Sequence, residues 1–174
     1  MRSFSFRYRL SLGLFIFGLV ASGLSAFPLE METALLNRWF GINESIGPAS
    51  ILFNLRMFIA TVHYGIHQTY ENFPFFGYGT DWLGFGHLVI AAFFILPFLD
   101  PIRYRAVLKI GLGACGGVIA LALICGPIRG IPFFWTLIDC SFGIIGAIPL
   151  LYCLRLTRKL DDRLTTSSAL PKSR

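Results

Sequence analysis

The stretch WLGFGHLVIAAFFILPFL at residues 82–99 contains no formal charge and a single histidine, His87. A membrane-crossing helix needs about 17–25 mostly apolar residues, because each adds about 1.5 Å across a hydrocarbon core about 30 Å thick. Backbone groups in lipid must be satisfied within the segment, so such a run adopts a helix. The stretch therefore predicts one membrane-spanning helix.

Three further runs meet the same criterion, at residues 10–27, 110–125 and 131–154. The composition agrees, because 55% of the 174 residues are hydrophobic and only 14% are charged, whereas about a quarter are charged in a soluble domain. The 18 phenylalanines exclude a disordered chain. We therefore predict an all-α fold, a four-transmembrane-helix bundle that forms a single integral membrane domain over residues 1–174.

The positions of the basic residues predict how this bundle is oriented. Four spans place both termini on one side, and with that side cytoplasmic 12 of the 15 Lys and Arg residues lie inside. Only Arg38, Arg56 and Arg129 lie outside. This asymmetry follows the positive-inside rule. It predicts cytoplasmic termini, a cytoplasmic tail at residues 155–174 and an outer region at residues 28–80, and it explains the net charge of +6 without a nucleic-acid partner.

The outer region carries a fifth hydrophobic run, at residues 49–70. Counting it as a span would send the basic tail outward, so we predict an amphipathic helix that lies on the membrane surface or packs on the bundle. A shorter amphipathic helix is predicted over residues 29–40. Gly47-Pro48 is expected to separate the two helices, and residues 72–80 are expected to form an aromatic loop.

The first run has an alternative interpretation as a cleaved signal peptide. Its basic start and apolar middle precede Gly23-Leu24-Ser25-Ala26, which is the order of a signal sequence. However, Leu24 is large for a cleavage motif and the apolar run is long. We expect the run to be retained as a span. Its cleavage would not change the side of the membrane on which each of the other segments lies.

Polar and ionisable residues gather toward the predicted outer face. His63 and His67 are four residues apart, so they share one face of a helix, and this spacing suits zinc. His87 is the third candidate ligand, and a solvated polar helix face is the alternative to a metal site. The full candidate cluster is Arg56, His63, His67, Glu71, Asp81, His87, Arg129 and Asp139.

His87 and Asp139 lie inside predicted spans, five and eight residues from the outer ends. The helical rise places them roughly 8 and 12 Å deep. Ionisable groups within membrane helices usually face the bundle interior and have a partner there. We therefore expect Asp139 to point inward, toward His87, Arg129 or another polar group.

Two stretches carry a resemblance to known sequences. Residues 78–82, YGTDW, and residues 126–143, GPIRGIPFFWTLIDCSFG, resemble stretches of a group of small uncharacterised bacterial four-helix membrane proteins. The likeness extends from Ala26 to Cys153. It implies a bacterial inner-membrane location and brings no activity, cofactor or partner.

Three functions remain open from the sequence. We favour a non-catalytic membrane protein whose outer-leaflet polar pocket binds a small ligand, a lipid, a membrane-protein partner or a second copy of the chain, because no strong catalytic motif is present. The first alternative is a membrane-embedded, metal-dependent hydrolase that uses His63, His67, His87 and an aspartate. The second is an ion-coupled carrier with His87 and Asp139 as relay groups.

Overall fold

The fold was established from a computed structural model, which describes residues 2–40 and 51–169. The predicted Gly47-Pro48 break and the last five residues lie outside this range. The described residues contain helices and no strand. The seven helices are α1 (Arg2–Ser25), α2 (Leu29–Trp39), α3 (Ile51–Asn72), α4 (Phe75–Phe93), α5 (Ile95–Leu99), α6 (Arg105–Ile128) and α7 (Phe133–Ala169).

Four helical segments are long and apolar enough to cross a membrane. They are Ser5–Ser25, Phe75–Leu99, Arg105–Ile128 and Phe133–Asp161. The all-α fold with four candidate spans is therefore confirmed, and the chain is a multi-pass membrane protein. Helix α3 is as long as a span but is not among the four, because polar residues interrupt its apolar surface.

The second span begins seven residues earlier than the sequence predicts. Residues 72–80 were expected to form a loop, yet α4 begins at Phe75, so only Phe73 and Pro74 separate it from α3. Pro74 lies just before the helix. An N–H at this position would have no acceptor within the helix, so the missing N–H of proline costs nothing there, and its fixed φ suits a helix start. Its carbonyl accepts a hydrogen bond from the N–H of Gly77 at 3.0 Å. The proline thus starts a helix here instead of marking a loop.

The basic tail at residues 155–174 is helical as far as Ala169, where α7 ends. Thr157 is fully buried, and its hydroxyl donates to the carbonyl of Cys153 at 2.9 Å. Leu154 is 9% exposed. Thr157 therefore extends the packed face of the span by one turn beyond its hydrophobic run.

The described chain divides into two compact units. The first comprises Met1–Gly18 and Ile90–Arg174. Its core includes Tyr8, whose buried hydroxyl donates to the carbonyl of Pro97 at 2.8 Å, and Leu12, which is fully buried. Helices α6 and α7 pack tightly at Gly143, where a Cβ would lie 2.5 Å from the carbonyl oxygen of Cys115.

The second unit comprises Leu19–Val89 and holds α2, α3 and the adjoining parts of α1 and α4. Helices α1 and α4 are in closest contact at two glycines. A Cβ on Gly23 would lie 2.9 Å from the carbonyl oxygen of Gly84, and a Cβ on Gly84 would lie 2.7 Å from that of Gly23. The hydroxyls of Tyr70 and Thr80 lie 2.8 Å apart and join the end of α3 to α4. This unit carries most of the predicted polar cluster.

Candidate functional site

The candidate site is built on the α2–α3 hairpin, the pair of helices between the first and second spans. Glu30 on α2 contacts His67 on α3, and Thr33 contacts His63. The later residue of α2 thus lies opposite the earlier residue of α3, so the two helices are antiparallel. Glu30 and Thr33 are three residues apart and the two histidines are four apart, so each pair lies on one helix face. The polar pair on α2 thus faces the polar pair on α3 across the hairpin.

His67 lies between two carboxylates. Its Nδ1 is 2.7 Å from Glu30 Oε1, and its Nε2 is 3.3 Å from Glu71 Oε1. Only the imidazolium form carries a proton on both ring nitrogens, so both contacts are favourable together only when His67 is charged. The hydrogen bond to Glu30, and then the negative charge of Glu71, raise the pKa of His67 above its ordinary value. The geometry therefore favours a cationic His67 that ties α2 to α3.

His63 makes a different contact, one turn before His67. Its Nδ1 lies 3.3 Å from the hydroxyl oxygen of Thr33, and that hydroxyl is 3.0 Å from the backbone carbonyl of Glu30, to which it donates. Thr33 thus contacts both the backbone of its own helix and the ring of His63. Thr33 is 8% exposed, which makes this a largely buried link between the helices.

The two histidines do not converge on one point. Their rings are stacked with centroids 6.2 Å apart, and both nitrogens of His67 face carboxylate oxygens. Within residues 2–40 and 51–169, no group of three His, Cys, Asp or Glu residues is arranged to hold a metal ion. The zinc hypothesis for His63, His67 and His87 stays a prediction.

Arg56 lies on the same stripe of α3 as His63, seven residues before it. Its Nε and Nη1 atoms are buried and have no hydrogen-bond partner. The contacts of Glu30 with His67 and of Thr33 with His63 set the register of the hairpin. Continuing this register places Arg56 level with the C-terminal end of α2, near Phe40, whereas the carboxylates that hold His67 lie at the opposite end.

Among the described residues, no ion pair joins the other predicted site residues to His63, His67 or Glu71. His87 is the thirteenth residue of the 25-residue segment Phe75–Leu99, so the longer α4 places it near the middle of its span. Its Nδ1 donates to the carbonyl of Leu83 at 2.9 Å. In the part of the chain that the structure describes, ion pairs involve only His67 with Glu30 and Glu71, and Arg105 with Asp161.

Asp139 is half-buried on the second turn of α7, and Arg129 is the exposed residue directly after α6. No ion pair joins them among the residues described. Asp139 and His87 belong to different units of the chain. The expectation that Asp139 has a polar partner inside a bundle stays a prediction, as does any role for Asp81.

Sequence reasoning missed Glu30 and Thr33. Both belong to α2, which the sequence predicts as a short amphipathic helix without a role in the polar cluster. A usable signal was present, because Glu30 and Thr33 share a helix face in the same way as His63 and His67. Two complementary polar pairs on consecutive short helices indicate an antiparallel hairpin with those faces together.

Comparison with protein families, known proteins and solved structures finds no match to this chain.

Proposed function

We propose that this chain is a non-catalytic, multi-pass protein of the bacterial inner membrane, whose extracytoplasmic face binds a small ligand, a lipid or a partner protein. The observation that carries the proposal is the α2–α3 hairpin. In a chain with 14% charged residues, one stripe of α3 gathers Arg56, His63 and His67, and α2 is held against that stripe by specific polar contacts. Such a structure positions polar groups for recognition.

The distribution of charge supports the orientation in this proposal. If all four candidate spans cross the membrane, residues 2–4 and residues 162–169 lie on the same side of it. With that side cytoplasmic, 12 of 15 basic residues lie inside and the hairpin lies outside. The exposed aromatic residues Phe75 and Tyr78 at the start of α4 suit a membrane–water interface at this end of the span.

Native mass spectrometry of the purified protein in a neutral detergent tests the binding function. We expect wild type to retain an adduct of one defined mass. A double variant, Glu30→Gln with His67→Gln, is expected to retain less of the adduct, because only the contact of Thr33 with His63 then holds α2 against α3. Glu32→Gln is the matched control, because it removes an acid from the same helix without touching His67.

The proposal fails if wild type carries no defined adduct, or if the double variant keeps the adduct as well as wild type does. An adduct with the mass of one zinc ion that disappears in His63→Ala would instead support the metal-dependent hydrolase.

A further inference from the structure

We propose that the guanidinium group of Arg56 is the binding site for a phosphate-class anion, either the phosphate of a lipid headgroup or a free phosphate. This inference rests on the proposed function and names the chemical class of the ligand. It follows from three features of Arg56: its unpartnered nitrogens, its position in the hairpin and the surface around it.

The first feature is the unsatisfied charge itself. Nε and Nη1 of Arg56 are both buried without a hydrogen-bond partner, although a guanidinium carries five N–H donors and stays protonated in proteins. The residue as a whole is only partly buried, but buried N–H donors without an acceptor are costly, and arginine cannot relieve that cost by losing its proton. An anion at this position would satisfy the charge and the donors together.

The second feature is the absence of a suitable acid nearby in the described hairpin. Glu30 and Glu71 are engaged with His67, eleven residues along α3 from Arg56. By the hairpin register, the ionisable residue of α2 nearest to Arg56 is Arg38, which has the same sign. The described part of the hairpin therefore supplies no counter-ion at this end, which leaves the position open to an anion from outside the chain.

The third feature is the surface at this end of the hairpin, which indicates phosphate. Trp39 and Phe40 are 75% and 39% exposed, and exposed aromatic side chains at a helix end are typical of the membrane–water interface. Phosphate groups are the abundant anions at this depth. The planar fork of arginine also matches two phosphate oxygens at once, whereas lysine presents a single point charge.

Titration of the purified full-length protein in neutral detergent tests the proposal with two probes. One arm uses inorganic phosphate followed by calorimetry, and the other uses phosphatidylglycerol, with the phosphate-free lipid diacylglycerol as the comparison, followed by native mass spectrometry. We expect one anion per chain in at least one arm. Saturation with inorganic phosphate identifies a free-phosphate site, and retention of phosphatidylglycerol alone identifies a lipid headgroup site.

The variants assign the binding to the guanidinium. Arg56→Gln is expected to weaken it about tenfold or more, because hydrogen bonds to a charged group are lost. Arg56→Lys should fall between wild type and Arg56→Gln, since it keeps the charge and loses the fork. It also keeps the test meaningful if Arg56→Gln does not fold. Arg38→Gln, at an exposed arginine at the same end of the hairpin, is the matched control and should weaken binding less than Arg56→Gln does, because it removes a solvent-screened charge and no buried donor.

Two results would overturn the inference: no binding of either probe to wild type, or equal binding by wild type and both Arg56 variants. Binding by Glu44→Gln but not by wild type would also overturn it, because a carboxylate of the chain would then compete for the guanidinium. If native mass spectrometry finds a hairpin-dependent adduct that lacks phosphorus, the proposed function stands and this inference alone fails.

Discussion

At the scale of single residues, His67 is the group on which the α2–α3 hairpin depends most clearly. Its two ring nitrogens face carboxylates on two different helices. The side chains of His67 and Glu30 are each 43% exposed, so water screens their attraction and the ion pair adds little to global stability. Its effect is therefore local, on the association of α2 with α3.

The first prediction concerns this local effect. Glu30→Gln removes the closest charge from His67, so α2 should separate from α3 more often. We expect amide hydrogen exchange in α2 to accelerate about two- to fivefold, the size typical of an exposed ion pair, while the spans are unchanged. Glu32→Gln should exchange at the wild-type rate. Equal acceleration in both variants would contradict the role assigned to Glu30.

The second prediction concerns pH. Because the pKa of His67 is raised in the folded protein, the stabilisation from its charged form is fully present below about pH 6.5, the ordinary value. It is lost as the pH rises through the raised value. An NMR titration of the His67 ring should give a pKa above about 6.5 in wild type and a lower one in Glu30→Gln. A wild-type pKa at or below the ordinary value would contradict the double contact.

At the scale of helices, the close contact of α1 with α4 gives the third prediction. Gly84→Val places a side chain where even a Cβ would lie 2.7 Å from a backbone carbonyl oxygen. Overpacking of this kind costs about 1–3 kcal/mol, so thermal unfolding in detergent should occur at a lower temperature. Gly86→Ala, where a Cβ meets nothing within 4 Å, should not lower it. Equal unfolding temperatures for wild type and Gly84→Val would contradict the described contact.

The helices also show how far the sequence could predict the structure. Apolar runs such as residues 82–99 predict spans because a spanning helix needs only enough consecutive apolar residues to cross the hydrocarbon core. The start of α4 at Phe75 was missed because proline favours both a loop and the first turn of a helix. The contact of His67 with Glu71 follows from their spacing of four residues. The contact with Glu30 requires the pairing of two helices, which periodicity within either helix does not contain.

At the scale of the whole molecule, the core of the first unit bears on the signal-peptide alternative. Tyr8 and Leu12 are 2% and 0% exposed, and Cys153 Sγ lies 3.7 Å from the carbonyl oxygen of Tyr8. Cleavage after Ala26 would remove these residues from the core. We therefore expect the mature protein to keep α1.

The fourth prediction tests this role of α1. Tyr8→Phe leaves the buried carbonyl of Pro97 without its hydrogen bond, which should cost about 1–3 kcal/mol and lower the temperature of thermal unfolding. Tyr64→Phe, at a side chain that is 66% exposed, is the control.

The intact mass of protein purified through a C-terminal tag should correspond to a chain that still contains α1. A mass that begins at Phe27 would contradict its place in the core.

The central claim is that the α2–α3 hairpin is extracytoplasmic while both ends of the chain are cytoplasmic. Labelling of single cysteines in spheroplasts with a membrane-impermeant maleimide tests it most directly, in a background without Cys115, Cys125, Cys140 and Cys153. Met31→Cys lies at an exposed position of α2, Ala106→Cys lies at the exposed start of α6, and Ser167→Cys lies near the end of α7. We predict that only Met31→Cys reacts in intact spheroplasts and that the other two react after permeabilisation. Labelling of Ser167→Cys without permeabilisation, or no labelling of Met31→Cys, would contradict the account.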